Sequence, residues 1–214
     1  MIYAFEKFSM IPLCRLWVRK VDGIENIPEG AFVVVANHTS YYETLLVPSL
    51  VIPRIKVPMH ALVNEIYWSS FIASLFLNHW QCIKVSMEKN EISKKKNVFA
   101  FQEALKYLKK GEIMMVFPEG HRSRDGKLQK GKTGAARLAL KAKVPVLPIG
   151  IMGAGEVLPR GKIFPRFKRC EVQIGKPIYF DNYYKKKLNK KILEESTREI
   201  MQEIAKLASQ KYNY

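Results

Sequence analysis

The 214-residue sequence has few cysteines, few acidic side chains and no long apolar run. Its three cysteines, Cys14, Cys82 and Cys170, are widely separated and lack metal-ligand spacing, which argues against disulfides and a metal site and favours a reducing compartment. The longest charge-free run, residues 66–83, contains several polar side chains. It therefore predicts a buried helix, or one that dips into a lipid interface, rather than a membrane span. Glu6, without a basic leader before it, argues against a cleavable secretion signal and leaves the cytoplasm as the expected location.

The shortage of acidic residues leaves a strong positive charge. Lys and Arg number 36 against 19 Asp and Glu, for a formal net charge of +17. Such a protein is attracted to polyanions, which include nucleic acid and anionic lipid. No nucleic-acid-binding module is recognisable, so we expect no specific nucleic acid partner and favour an anionic membrane surface. The lysine cluster at residues 185–191 is either a solvated face or a lipid-facing patch.

The chain is long enough for one domain with an ordinary core. Residues 1–20 mix apolar side chains with cations around Pro12, and we interpret them as an amphipathic lead-in helix. Two roles stay open for this segment: it packs on the domain's own core, or it anchors the protein at a membrane. Residues 21–214 form the main domain.

Apolar and helical patterns alternate along the main domain. The run at residues 31–36 is apolar throughout, as expected for a strand covered on both faces of a parallel sheet. The alternation predicts an α/β domain with a mostly parallel central sheet flanked by helices. Further strands are predicted at residues 113–117, 144–151 and 169–174, and helices at 97–110, at 133–141 and from 192 towards the end.

Asn37 and His38 follow the first predicted strand directly, which places His38 at the sheet edge where α/β proteins bind ligands. Histidine suits a general base because it accepts and returns a proton near neutral pH, and a carboxylate behind it would fix its tautomer. Glu43 is the candidate carboxylate if His38 lies in the turn before a helix. The alternative is a capping box, in which Ser40 caps the helix and Glu43 only satisfies the cap's backbone amide.

A second cluster of polar side chains follows the strand at residues 113–117. The loop contains Glu119, Gly120, Arg122 and Ser123. Arg122 offers a planar fork for a phosphate, Gly120 permits close approach of the backbone, and Glu119 is a candidate to orient Arg122. Without other information, this segment could equally be an ordinary charged turn.

Three blocks together resemble a known family. Asn37 and His38 with Glu43 resemble an Asn-His-x-x-x-x-Asp block with one substitution. Residues 117–123 are similar to Phe-Pro-Glu-Gly-Thr-Arg-Ser, with histidine in place of threonine, and residues 144–148 are similar to Val-Pro-Val-x-Pro. In this order they resemble the glycerolipid acyltransferases, the family typified by 1-acylglycerol-3-phosphate acyltransferase. The resemblance identifies residues 21–214 as an acyltransferase domain.

The resemblance implies that His38 deprotonates a lysophospholipid hydroxyl, which attacks the thioester of acyl-CoA or acyl carrier protein without a covalent acyl-enzyme. The most similar reaction converts 1-acylglycerol-3-phosphate to phosphatidic acid in phospholipid biosynthesis, without a cofactor. Glu119 and Arg122 correspond to the block that binds the acceptor's glycerol phosphate, with Gly120 and Ser123 beside them. We expect a peripheral protein at the cytoplasmic face of the cell membrane.

Two departures from the family pattern leave alternatives open. Glu43 replaces Asp, and an Arg that the family has after a short strand is absent, with Lys84 as a candidate replacement for its charge. Lys132 is a further candidate for contact with phosphate or the carrier. The alternatives are a lyso-lipid with another head group, a non-catalytic module that binds anionic membranes, and a thioesterase that transfers the acyl group to water.

Overall fold

The computed structural model describes residues 10–214, and its centre is one seven-stranded sheet. Strand β2 consists of three valines and an alanine, all buried, as expected for a strand covered on both faces. The strands are β1 Val18–Asp22, β2 Val33–Ala36, β3 Met59–Asn64, β4 Ile83–Val85, β5 Ile113–Val116, β6 Val146–Met152 and β7 Cys170–Ile174.

The sheet has the order β1-β7-β6-β2-β5-β3-β4. The five strands from β6 to β4 are parallel to one another, whereas β7 is antiparallel to β6 and parallel to β1. The prediction of a mostly parallel sheet flanked by helices is therefore confirmed. Because β2, β3, β5 and β6 all end at the same edge, the loops that follow them meet there. We call this side of the sheet the carboxyl edge.

Helices cover both faces of the sheet. Alternate residues of β2 enter two separate cores: Val34 and Ala36 enter the first, and Val33 and Val35 the second. Asparagine side chains cap two of the longer helices, since Asn90 accepts from Ser93 N and Asn189 from Ile192 N. The helices are α1 Met10–Arg15, α2 Tyr42–Val51, α3 Phe71–His79, α4 Glu91–Lys109, α5 Gly134–Ala142, α6 Ala154–Val157 and α7 Lys190–Leu207.

The two cores define two helical layers. Buried residues of α1, α2 and α6 lie in the first core, together with the partly buried Phe76 of α3, so these helices form the first layer. Buried residues of α4, α5 and α7 lie in the second core and form the second layer. The lysine cluster at residues 185–191 precedes and enters α7, so it belongs to the second layer.

The predicted lead-in segment is only partly helical where it is described. Its first nine residues lie outside the described part of the chain, α1 ends at Arg15, and Val18–Asp22 is already a strand of the sheet. The boundary at residue 20 therefore falls within β1. On α1, Ile11 is buried in the first core while Leu13 is 56% exposed, so the helix packs on its own domain and still presents apolar side chains to solvent.

The charge-free run at residues 66–83 contains the surface helix α3 and ends at Ile83, the first residue of β4. None of the residues of α3 is buried, and Phe71 and Leu75 are 76% and 57% exposed, so the predicted buried helix is wrong, while the alternative of a helix at a lipid interface stays a prediction. Its inner side still contacts the first core through Phe76 and Trp80. Across residues 10–214, no helix combines the length and the apolar character needed to cross a bilayer.

Candidate active site

His38 lies at the carboxyl edge, two residues after β2, and its backbone is fixed by the loop that follows β5. Its N–H donates to Glu119 Oε1 at 2.7 Å, and its carbonyl accepts from Ser123 N at 2.7 Å. The preceding Asn37 is buried and exchanges two hydrogen bonds with the backbone of Ile151 on β6. The position of His38 is therefore determined by hydrogen bonds to two segments that lie far away in sequence.

The His38 ring is held on two sides. Its Nδ1 lies 2.9 Å from Glu43 Oε2, and its plane stacks on Phe117 with centroids 3.9 Å apart and 14° between the planes. The Glu43 side chain is fully buried and that of His38 is 12% exposed. No hydrogen bond from the described residues engages Nε2. With Nδ1 facing a carboxylate, Nε2 is the nitrogen left to exchange a proton with a bound molecule.

The start of α2 explains how Glu43 reaches His38. The helix begins at Tyr42, so His38 and Thr39 remain in the turn before it. Glu43 extends back and accepts from Thr39 N at 2.8 Å and from Thr39 Oγ1 at 2.5 Å. The capping-box alternative is wrong in its details, because Glu43 bonds to the amide of Thr39, while the Ser40 hydroxyl accepts from Tyr42 N. The carboxylate organises this turn and faces the histidine at the same time.

Glu119 is a buried link between loops. It is 1% exposed, and its second oxygen accepts from Gln129 N at 2.8 Å while the first accepts from His38 N. Burial raises the pKa of Glu119 to about 7, although its two backbone hydrogen bonds lower it. The expectation that Glu119 orients Arg122 is not met, since both of its oxygens are directed to backbone amides.

Arg122 instead rests on an aromatic pair. Its Cζ lies 3.4 Å from the centroid of the Tyr41 ring, and the Tyr41 hydroxyl is 2.7 Å from that of Tyr67. Tyr41 lies between His38 and α2, so the guanidinium is directly beside the His38 turn. The Tyr41 ring covers one face of the guanidinium, and Arg122 also forms a hydrogen bond to the Tyr67 hydroxyl. The remaining N–H groups of Arg122 can bind a phosphate.

Gly120 and Lys132 lie in contact. Gly120 has φ of +75°, which favours glycine, and a Cβ at this position would be 2.6 Å from Lys132 Nζ. The backbone N–H of Lys132 donates to Pro118 O at 2.7 Å, which connects this lysine to the same loop. Ser123 is buried, and its hydroxyl donates to Asp125 at 2.9 Å. The loop thus brings the Lys132 ammonium beside Gly120, while Ser123 supports the backbone.

Lys84 lies further along the carboxyl edge, on the outer strand β4. Its Nζ is 5.0 Å from the centroid of the Trp68 ring. Trp68 is next to Tyr67 in the chain, so Lys84 is connected to Arg122 through the aromatic residues between them. Its contact is with an aromatic ring rather than with the loop of residues 117–132.

A second histidine–glutamate pair has nearly the same local geometry. His60 Nε2 lies 2.9 Å from Glu112 Oε2, and the ring stacks on Tyr107 at 3.9 Å and 13°. The His60 side chain is 1% exposed, however, and its Nδ1 lies 3.3 Å from Gln81 O. Both nitrogens of His60 therefore face protein atoms.

Five residues that shape this site received no role from the sequence. Phe117 lies within a recognised block, but nothing local indicates that its ring faces a histidine. The contact between Tyr41 and Tyr67 joins segments 26 residues apart, so no spacing rule identifies it. The five are Asn37, Thr39, Tyr41, Tyr67 and Phe117. Asn37 and Phe117 lie within the recognised blocks and Thr39 is next to His38, whereas Tyr41 and Tyr67 had no signal in the sequence.

Comparisons with known proteins identify relatives of this chain. The family model described as Acyltransferase matches residues 18–152, which include all eight of the predicted site residues. The chloroplastic 1-acyl-sn-glycerol-3-phosphate acyltransferase BAT2 of Brassica napus is 30% identical over 177 residues, which are 80% of this chain and 48% of that protein. A 1-acyl-sn-glycerol-3-phosphate acyltransferase of Pseudomonas aeruginosa is 30% identical over 141 residues, or 66% of this chain and 51% of that protein. The chain thus spans about half the length of these curated relatives.

A solved structure has the same fold. The crystal structure of the 1-acyl-sn-glycerophosphate (LPA) acyltransferase PlsC from Thermotoga maritima superposes with a TM-score of 0.70. The match covers 97% of this chain and 81% of that one, at 24% sequence identity. At this identity the likeness establishes the architecture and nothing finer.

Proposed function

Since the chain belongs to the acyltransferase family, we propose that it transfers a fatty acyl group from acyl-CoA or acyl carrier protein to the free hydroxyl of 1-acylglycerol-3-phosphate. The product is phosphatidic acid, an intermediate of phospholipid biosynthesis. The observation that carries this proposal is the pair of His38 and Glu43, 2.9 Å apart at the carboxyl edge, with Nε2 of His38 left for substrate.

The mechanism follows from the orientation of the imidazole. The Nδ1–H of His38 donates a hydrogen bond to Glu43, which leaves Nε2 as the basic nitrogen. Nε2 takes the proton of the acceptor hydroxyl as its oxygen attacks the thioester carbonyl, and Glu43 stabilises the imidazolium that forms. The new C–O bond replaces the C–S bond, and the proton returns from His38 to the departing thiolate. The protein itself is not acylated at any step.

Acceptor recognition is assigned to the cations beside this pair. Arg122, held over Tyr41, would bind phosphate oxygens through its N–H edge, and the Lys132 ammonium beside Gly120 would add a second charge. Glu119, Gly120 and Ser123 support that loop, and Lys84 extends the positive charge along the edge. We further propose that the protein works peripherally at the cytoplasmic face of the cell membrane, where its charge of +17 favours anionic lipid.

Purified protein incubated with each donor and a panel of lyso-lipids tests this proposal, with lipid products followed by mass spectrometry. We expect phosphatidic acid from lysophosphatidic acid and its loss in His38→Ala. His60→Gln is the matched control, because it disrupts the other stacked histidine–glutamate pair. Product formed equally well by His38→Ala would contradict the mechanism.

The same experiment separates the competing functions. If the protein prefers a lyso-lipid with another head group, the proposed acceptor is wrong and the proposed acyl transfer stands. Release of free fatty acid without a lipid product would identify a thioesterase. A folded protein that binds anionic vesicles and acylates no acceptor would be a binding module.

A further inference from the structure

The segment between α6 and β7 exposes a concentrated group of aromatic and basic side chains. Ile163, Phe164 and Phe167 are 85%, 82% and 107% exposed. We call residues 159–169 the basic aromatic loop. It also carries five exposed cations and no acidic residue, the cations being Arg160, Lys162, Arg166, Lys168 and Arg169.

Backbone hydrogen bonds give this loop a defined shape. Lys162 N donates to Pro159 O at 3.0 Å, Arg166 N to Val157 O at 2.7 Å and Lys168 N to Arg166 O at 2.8 Å. These bonds do not involve the apolar side chains, which face solvent. A fixed backbone that presents three large apolar groups to water is typical of an interaction surface.

The composition of the loop indicates the kind of partner. Aromatic and branched apolar groups enter the boundary between lipid head groups and acyl chains, while Lys and Arg bind the phosphates above it. An acidic protein would satisfy the cations but would leave the nearly fully exposed Phe164 and Phe167 without an apolar environment. The combination therefore favours an anionic phospholipid bilayer.

The loop is coupled to the candidate active site. Ser40, two residues after His38, donates from its hydroxyl to Leu158 O at 2.7 Å, immediately before the loop. A Cβ on Gly155 would lie 3.5 Å from Thr39 Oγ1, so α6 also touches the His38 turn. Contact of the loop with a bilayer would therefore bring His38 close to the lipid surface.

Other exposed apolar side chains lie on the same helical layer. Leu13 of α1 and Leu16, directly after that helix, are 56% and 63% exposed, and Phe71 and Ile72 of α3 are 76% and 80% exposed. Since α1, α3 and α6 all pack on the first core, these side chains and the loop extend from one side of the sheet. Among the residues described, the second layer presents a comparable group of exposed apolar side chains only on α4. That group serves as the control in the binding experiment.

We propose that the basic aromatic loop docks the first helical layer onto an anionic phospholipid bilayer and inserts Ile163, Phe164 and Phe167 into its interface. This inference rests on the proposed lipid substrate for its biological purpose, but binding of the loop to a bilayer does not require catalysis. Lipid acceptors would then reach His38 from the membrane that the loop contacts.

Co-sedimentation with vesicles tests the proposal, using equimolar phosphatidylcholine and phosphatidylglycerol beside pure phosphatidylcholine. Replacing three apolar side chains with serine should weaken binding at least about 10-fold, because the insertion of these side chains into the bilayer no longer contributes to the binding free energy. Replacing four cations with glutamine should weaken binding to the anionic vesicles about 100-fold or more, because each cation near such a surface contributes about fivefold. The variants are Ile163→Ser/Phe164→Ser/Phe167→Ser and Arg160→Gln/Lys162→Gln/Arg166→Gln/Lys168→Gln.

Matched controls come from the second layer. They remove equal numbers of exposed apolar groups from α4 and of cations from the lysine cluster, and we expect them to change binding by less than about threefold. Melting temperatures confirm that each variant is folded. The controls are Ile92→Ser/Val98→Ser/Phe99→Ser and Lys185→Gln/Lys186→Gln/Lys187→Gln/Lys190→Gln.

The outcomes distinguish this proposal from the proposed function. Loop variants that bind vesicles as the unmodified protein does would overturn it. So would loop variants that keep vesicle binding and lose binding to acyl carrier protein, because the loop would then dock an acidic protein. If the protein acylates no lipid but the loop variants still fail to bind vesicles, the acyltransferase proposal falls and the docking surface stands.

Discussion

The Nδ1 atom of His38 lies 2.9 Å from Oε2 of Glu43, although the two residues are five apart in the chain. Glu43 makes this contact from the first turn of α2, and it binds Thr39 as well. The longer glutamate side chain therefore fits this turn as it is built. The substitution of Glu for the family's Asp leaves the interaction intact.

We predict that Glu43→Asp lowers kcat about 10- to 100-fold, since the carboxylate retracts by about 1.5 Å from the imidazole. Glu43→Gln should lower it further, about 1,000-fold, because an amide neither fixes the tautomer nor stabilises the imidazolium. Steady-state kinetics with saturating acceptor measure both effects. A gain in kcat for Glu43→Asp would show that the observed pairing is not the productive one.

The stacking of Arg122 on Tyr41 predicts a difference between two substitutions. Tyr41→Leu removes the ring and should raise KM for the phosphate-bearing acceptor about 3- to 30-fold, the range expected from losing a cation–π contact. Tyr41→Phe keeps the ring, loses only the hydroxyl contact with Tyr67, and should change KM less than about threefold. Equal effects of the two changes would assign the role to the hydroxyl instead.

Two glycines with positive φ allow the effect of backbone strain to be measured separately from an effect on ligand binding. Gly120 and Gly126 have φ of +75° and +76°, so alanine at either should destabilise the fold by about 1–2 kcal/mol. Only at Gly120 would the new methyl group displace the Lys132 ammonium, since nothing lies within 4 Å at Gly126. Of the two glycine variants, we therefore expect only Gly120→Ala to raise the acceptor KM, about 5- to 10-fold. Lys132→Ala should raise it by a similar factor. Chemical denaturation and kinetics on the four proteins check this.

Glu119 predicts a pH dependence of stability. Burial raises its pKa to about 7 from an ordinary value of 4.5, so between these values the folded state holds a proton that the unfolded state has lost. The stabilisation of the folded state by protonated Glu119 is fully present below pH 4.5. The free energy of unfolding should then fall by ~3 kcal/mol as the pH rises to 7.

Glu119→Gln provides the test, because glutamine does not titrate. The difference in unfolding free energy between the unmodified protein and this variant should decline across that window. A difference that stays constant with pH would mean that Glu119 is ionised throughout, held by the amides of His38 and Gln129.

Much of the architecture could be predicted from local patterns. The run of valines in β2 is apolar at every position, and the predicted strand ends at Ala36, two residues before His38, as observed. The strands β1, β3 and β4 were not predicted from apolar runs, because cations, polar side chains or short length obscure their pattern. Strand order also lay beyond the sequence, since pairing depends on contacts between distant segments.

The sequence by itself determined the chemistry available at the carboxyl edge: a histidine after a buried strand, a carboxylate five residues later, and a loop with Arg122 and Gly120. All of these features follow from the order of residues along the chain. Only the tertiary structure decided which atoms meet. Glu119 binds the amide of His38 across 81 residues of sequence, and Arg122 rests on Tyr41 rather than on Glu119. Buried polar groups bond to whichever partner the packed loops bring within reach, and that choice is made only when the whole sheet is assembled.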